Sequence, residues 1–118
     1  MPFILIIASN LSTRSLLGAQ LREEGFEALG AAALDEAVLL LGEVGEPPSL
    51  VVMDTQELEI EQKALDLLAL ICAEVPLLLI HGAWDKPAQL KWKTRVHELL
   101  KPKSIGEIVA EVKKMLVD

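Results

Sequence analysis

Leu50-Val51-Val52-Met53-Asp54 is the stretch on which the fold turns. Four apolar side chains in a row, entered from Pro47-Pro48 and closed by a carboxylate, mark a parallel strand buried on both faces that delivers one polar group at its carboxyl end. Three further runs share this pattern: Phe3 to Ala8 leads to Ser9-Asn10, Leu77 to Ile80 leads to His81, and Val96 to Leu100 stops at Lys101-Pro102. In a parallel sheet these ends gather along one edge, where ligand crevices form, so Ser9, Asn10, Asp54, His81 and Lys101 are expected as neighbours.

The segments between the strands read as helices. Asn10 or Ser12 caps a first helix reaching about Glu24, with Leu17 and Leu21 one turn apart and Gly25 as a left-handed stop. Phe26 to Ala31, rich in Gly and Ala, reads as a weak strand suited to a sheet edge. A second helix starts at Asp35 with Leu34, Ala37, Val38, Leu41 and Val44 on its stripe, and Gly42 and Gly45 break the pattern. A third, from about Gln62 to Glu74, is expected to bury Leu65, Leu68, Ile71 and Cys72 before Val75-Pro76 ends it. Asp85 to Trp92 reads as a short, poorly patterned fourth helix. Ser104-Ile105-Gly106-Glu107 has capping-box spacing and opens a last helix with Ile105, Ile108, Val109, Val112 and Leu116 on one stripe. Five strands alternating with five helices predict one α/β domain over residues 1–118, a doubly wound parallel sheet with helices on both faces.

Composition narrows the function. Hydrophobic residues make up 52% of the 118, yet every apolar run stops well short of the roughly 20 residues a membrane helix needs. The start, Met1-Pro2-Phe3-Ile4-Leu5, lacks the basic segment and cleavage pattern of a signal peptide, so a cytoplasmic protein is expected. A net charge of −7 disfavours phosphate backbones and anionic membranes, and no direct nucleic-acid partner is expected. The single cysteine, Cys72, falls on an apolar helical stripe and reads as core. Asp54 and His81 alone are too few ligands for a structural zinc, so no metal is assigned.

With Asp54 ending the third strand and Lys101-Pro102 ending the fifth, the whole chain resembles the receiver domain of two-component response regulators. Pro48-Ser49-Leu50-Val51-Val52-Met53-Asp54 is similar to the family's phosphoacceptor strand. Leu99-Leu100-Lys101-Pro102 is similar to its lysine–proline signature, where the peptide before the proline is usually cis. The resemblance implies a flavodoxin-like, five-stranded sheet of order 2-1-3-4-5, with Asp54 as the phosphoacceptor candidate.

The departures are specific. Where receivers carry two acidic residues after the first strand to hold Mg²⁺, this chain has Ala8 and Ser9; His81 replaces the inward-turning Ser or Thr, and Glu98 replaces the aromatic switch residue. The Met-Pro and Asp-Gly that usually follow the phosphoacceptor are absent from Thr55 to Gln62. The chain is therefore similar to a degenerate pseudo-receiver: a signalling or regulatory interaction module without catalysis or cofactor, in which Mg²⁺ binds weakly or not at all and Asp54 forms an ion pair with Lys101. A phosphorylatable receiver is the alternative. A flavodoxin-like small-molecule binder is a second, since Ser9-Asn10-Leu11-Ser12-Thr13 at a helix start offers a weak anion site.

Two surfaces are candidates for a protein partner or homodimer. Trp84 and Trp92 bracket the expected fourth helix beside Lys91, Lys93 and Arg95, in a segment that also holds Lys86, Lys101 and Lys103, which suits an acidic partner or subunit. Leu39 and Leu70 fall outside the buried arcs of the second and third helices and are expected to be exposed, as a patch for self-association or a partner helix.

Overall fold

The computed structural model describes residues 2–117. Its elements run β1 (Phe3–Ile7), α1 (Leu11–Glu23), β2 (Glu27–Ala31), α2 (Leu34–Val44), β3 (Leu50–Asp54), α3 (Gln62–Ile71), β4 (Leu77–His81), β5 (Val96–Leu100) and α4 (Ile105–Val117). The five strands form one all-parallel sheet in the order β2-β1-β3-β4-β5, as the resemblance implied.

The three central strands read as continuous apolar runs because both faces are covered. Phe3, Leu5, Ile7, Val51, Met53, Leu77 and Leu79 point into the core beneath α2 and α3. Ile4, Ile6, Leu50, Val52, Leu78 and Ile80 point into the core beneath α1 and α4. Full burial of each such side chain stabilises the fold by about 1.5–3 kcal/mol. β2 lies at one edge, as its small residues foretold, and Arg22 of α1 donates to its Ala28 carbonyl at 2.9 Å. That contact covers part of an otherwise open strand.

Local signals set the helix ends. The Asn10 side chain accepts from the Thr13 amide, so Asn10, not Ser12, caps α1. Gly25 follows that helix with φ 93°, and Gly45 ends α2 with φ 78°, conformations open to a residue without a Cβ. Gly42 stays within α2, whose pattern runs through it. At α4, Ser104 and Glu107 bond each other's amides reciprocally at 3.1 Å, the capping box read from the spacing.

Three expectations need correction. No helix forms over 85–92, so the described chain has four helices instead of five. Pro87 excludes helical geometry from the residue before it, and the segment is drawn inward by tertiary contacts: Trp92 is buried with Nε1 donating to the Val75 carbonyl at 2.7 Å, and Gln62 of α3 donates to the Gln89 carbonyl at 2.9 Å. α3 stops at Ile71, short of Glu74, and the Cys72 to Val75 turn completes the approach to β4. Ile71 and Val44, assigned to buried stripes, are each more than a third exposed; Ile71 lines an open hollow with Leu41 and Pro47, while the core side of the same turn is taken by Ala69 and Cys72. Cys72 is in the core as expected, where burial pushes its thiol up to about 11.

Candidate functional site

The carboxyl ends of β1, β3 and β5 deliver their polar residues to one place. Asp54 is the last residue of β3 and lies almost wholly within the protein. Its Oδ1 accepts from Lys101 Nζ at 2.6 Å and from the Gln56 amide at 3.0 Å. Lys101 also donates to Gln56 Oε1 at 2.8 Å, and its peptide bond to Pro102 is cis. Beneath this triad lies a hollow of about 250 Å³, bounded by Thr13, Asp54, Lys101, Pro102 and Ile105. A larger apolar hollow, of about 420 Å³, opens at the opposite end of the sheet between Phe3, Phe26 and Leu116, and among the described residues its lining holds one titratable side chain, Glu27.

Ser9 joins the site from β1. Its hydroxyl donates to the Gln56 carbonyl at 2.8 Å, tying the loop after β1 to the loop after β3. Arg14, which sequence patterns did not single out, donates to the carbonyls of Ala8 and Ser9 at 2.8 and 3.2 Å and so places a permanent positive charge on that loop. Asn10 is spent on capping α1 and does not turn into the hollow.

His81 departs from expectation. Its ring turns away from Asp54: Nε2 meets Glu98 Oε1 at 2.8 Å and Nδ1 meets the Gly82 carbonyl at 2.7 Å. Both nitrogens thus face oxygen atoms and the ring is held at each of them. Glu98 also takes Lys86 at 2.9 Å; the hydrogen bond from Lys86 and then that from His81 hold its carboxyl below the ordinary range. The end of β4 and the middle of β5 are here joined by a side-chain hydrogen bond.

Asp85 is a further residue that the sequence did not reveal. Its Oδ1 accepts from the Gly82 amide at 2.6 Å. Burial acts to raise its carboxyl, but the Gly82 amide, the Thr55 hydroxyl and the positive charge of Lys101 together outweigh burial and hold it below the usual carboxylate value. It is the second acidic group within reach of Lys101, and no periodicity marks it.

The basic segment proves largely neutralised from within. Lys86 pairs with Glu98, Lys91 with Asp66, Lys101 with Asp54 and Lys103 with Glu107, while Arg95 donates to the Met115 carbonyl. Trp92 is core, which removes it from the interaction candidates; Trp84, 98% exposed, remains one, and Lys93 is exposed as well. Leu39 and Leu70 are 68% and 66% exposed, as their helical phase required.

The chain was compared with known proteins through its sequence and its fold. No protein-family model matches the sequence, and none of the curated proteins does. Among solved structures, the receiver domain of the hybrid histidine kinase CckA superposes with a TM-score of 0.73 at 23% identity, covering 96% of this chain and 97% of that one. A CheY-like receiver domain protein from Methanospirillum hungatei gives 0.74 at 18% identity, over 98% and 94% of the two chains. The fold is that of response-regulator receivers. It also occurs inside larger proteins: the lysine decarboxylase LdcF of Francisella novicida matches 98% of this chain with 17% of its own, at a TM-score of 0.65 and 15% identity.

Receivers raise the question of Mg²⁺, and the donors present do not suit it. This cation takes an octahedron of oxygens, usually with one or two carboxylates among them. Here Asp54 Oδ1 is already shared by Lys101 and an amide, Ala8 and Ser9 bring no charge, and the Gln56 carbonyl is occupied by the Ser9 hydroxyl. Arg14 adds positive charge to the same loop.

Proposed function

We propose that this chain is a signalling or regulatory protein-interaction module built on the receiver fold, working without Mg²⁺-dependent phosphorylation and without catalysis of its own. The observation that carries the reading is the contact between Ser9 and Gln56: a neutral hydroxyl bonds the backbone oxygen of the loop after Asp54, and Lys101 neutralises Asp54 directly. A site satisfied in this way holds one arrangement and has little reason to rearrange around a metal or a phosphoryl group. The pair between His81 and Glu98 supports the same reading, because an imidazole held at both nitrogens lacks the small rotation by which a hydroxyl follows a phosphoryl group.

The test is incubation of the purified protein with acetyl phosphate and Mg²⁺, read by intact mass. Unchanged mass is the expected result. A gain of one phosphoryl group, lost in Asp54→Asn, would establish the phosphorylatable receiver instead, a reading favoured by the placement of Lys101 Nζ on Asp54 Oδ1 at 2.6 Å.

A further inference from the structure

An apolar surface that the site does not use lies along the seam of α2 and α3. These helices pack side by side on one face of the sheet, and their buried residues belong to one core. Outward from that core, Leu39 of α2 and Leu67, Leu70 and Ile71 of α3 are 68%, 45%, 66% and 38% exposed. Leu39, Leu67 and Ile71 line two hollows there, while Leu70, next to Ile71 in the chain, lines neither. One hollow of about 350 Å³ lies between Leu39, Ala64 and Leu67. A second, of about 420 Å³, lies between Leu41, Pro47 and Ile71. Val38 lines both and separates them along the seam.

The rim of this groove is acidic on balance: Asp35 and Glu61 line the first hollow together with Lys63, and Glu46 lines the second. Glu36 and Glu43 stand further round α2 and Glu74 follows α3, and Lys63 is the one basic residue between 35 and 74. Such a rim sets the charge of what can cover the leucines. A second copy seated symmetrically would bring carboxylates against carboxylates, because an isologous contact apposes the same patch. The chain's own cations are poor substitutes, since Lys86, Lys91, Lys101 and Lys103 already pair with acids of the same molecule. Anionic lipid and nucleic acid are repelled.

We propose that the α2–α3 groove docks a basic amphipathic helix of a partner protein, its apolar side chains entering the two hollows and its lysines or arginines meeting the acidic rim. The assignment rests on the interaction-module reading and names the partner's chemistry. The geometry suits a helix: the hollows are distributed along α2 from Asp35 to Gly45, roughly 15 Å at 1.5 Å per residue, a span of about three turns that anchors at i, i+7 and i+11 cover.

The test uses a designed helical peptide of about 15 residues, with leucines on one face and lysines on the other, against a scrambled peptide of the same composition. Each is titrated into isotope-labelled protein at physiological salt. The expected result is saturable amide shifts confined to α2 and α3 with the amphipathic peptide only. Replacing Leu39 and Leu70 together by Gln, a good helix former that leaves the charge unchanged, should weaken binding roughly tenfold or more, at least about 1.4 kcal/mol, with the melting temperature preserved. Glu43→Gln with Glu74→Gln should weaken it further and reduce its salt dependence. Equal binding of the scrambled peptide, shifts spread over the other acidic surfaces, or no binding would overturn the proposal. So would a wild-type dimer by sedimentation that the Leu39→Gln, Leu70→Gln variant dissolves, which would make the occupant a second copy. The titration is repeated after exposure to acetyl phosphate and Mg²⁺: phosphoryl uptake there defeats the phosphorylation-independent reading, while the peptide result still decides the groove.

Discussion

The Ser9 hydroxyl donates to the Gln56 carbonyl across 2.8 Å, bridging two loops that are 47 residues apart in sequence. It satisfies with a neutral donor the backbone oxygen that a cation at this edge of the sheet would need. The consequences can be measured separately from any partner.

Mg²⁺ titration followed by amide shifts around Asp54 should show no saturable change below about 10 mM, because one shared carboxylate is a poor set of donors. Ser9→Asp adds a carboxylate and releases the Gln56 carbonyl. That variant should respond at lower concentration, and equal responses from the two proteins would refute the role given to Ser9.

Asp54 and Lys101 form a largely enclosed pair, their side chains 12% and 23% exposed. Asp54→Asn retains an acceptor for the Gln56 amide and should cost about 1 kcal/mol. Asp54→Ala strands the amide and leaves the Lys101 ammonium only the Gln56 side-chain oxygen, and should cost about 2–3 kcal/mol. Chemical denaturation of the two variants gives the order; an alanine variant as stable as the asparagine one would mean that the pair contributes nothing beyond its shape.

Acid should weaken the β4–β5 end of the fold. Asp85 and Glu98 both titrate lower folded than unfolded. Their contribution is therefore complete above the unfolded value, about 4, and is lost as the pH falls through the lower folded values. Denaturation midpoints should fall on this acid side, and Asp85→Asn with Glu98→Gln should flatten the decline. A decline just as steep in the double variant would place the responsible carboxylates elsewhere.

The two tryptophans should report opposite environments. Trp84→Phe should leave a blue-shifted, poorly quenched emission from buried Trp92 and alter stability little. Trp92→Phe should leave a red-shifted emission open to acrylamide, at a cost of about 1–3 kcal/mol for stranding the Val75 carbonyl. Strong quenching of the Trp84→Phe protein would contradict the inward path of the segment between β4 and β5.

Much of the fold is legible because its signals are local. Continuous apolar runs identify β1, β3 and β4, since parallel strands covered on both faces have no polar side to show. Asn10, Gly25, Gly45 and the Ser104–Glu107 box mark helix ends through contacts within a few residues. The expected helix over 85–92 fails for the complementary reason: its few apolar residues are claimed by distant partners, Trp92 by Val75 above all.

By itself the sequence determined which residues stand at the carboxyl edge of the sheet, because parallel strands joined by right-handed crossovers all end at one edge, while the order of the strands was implied by the resemblance. It also determined that Leu39 and Leu70 face outward, since helical phase is a property of spacing. The pair of Lys101 with Asp54 was expected as well, but only the tertiary structure decided what the other edge residues do: Ser9 meets Gln56, His81 turns to Glu98, and Asp85 enters from a loop that no pattern placed there. These are choices of rotamer and loop path made by hydrogen bonds across tens of residues, and no local periodicity carries that information.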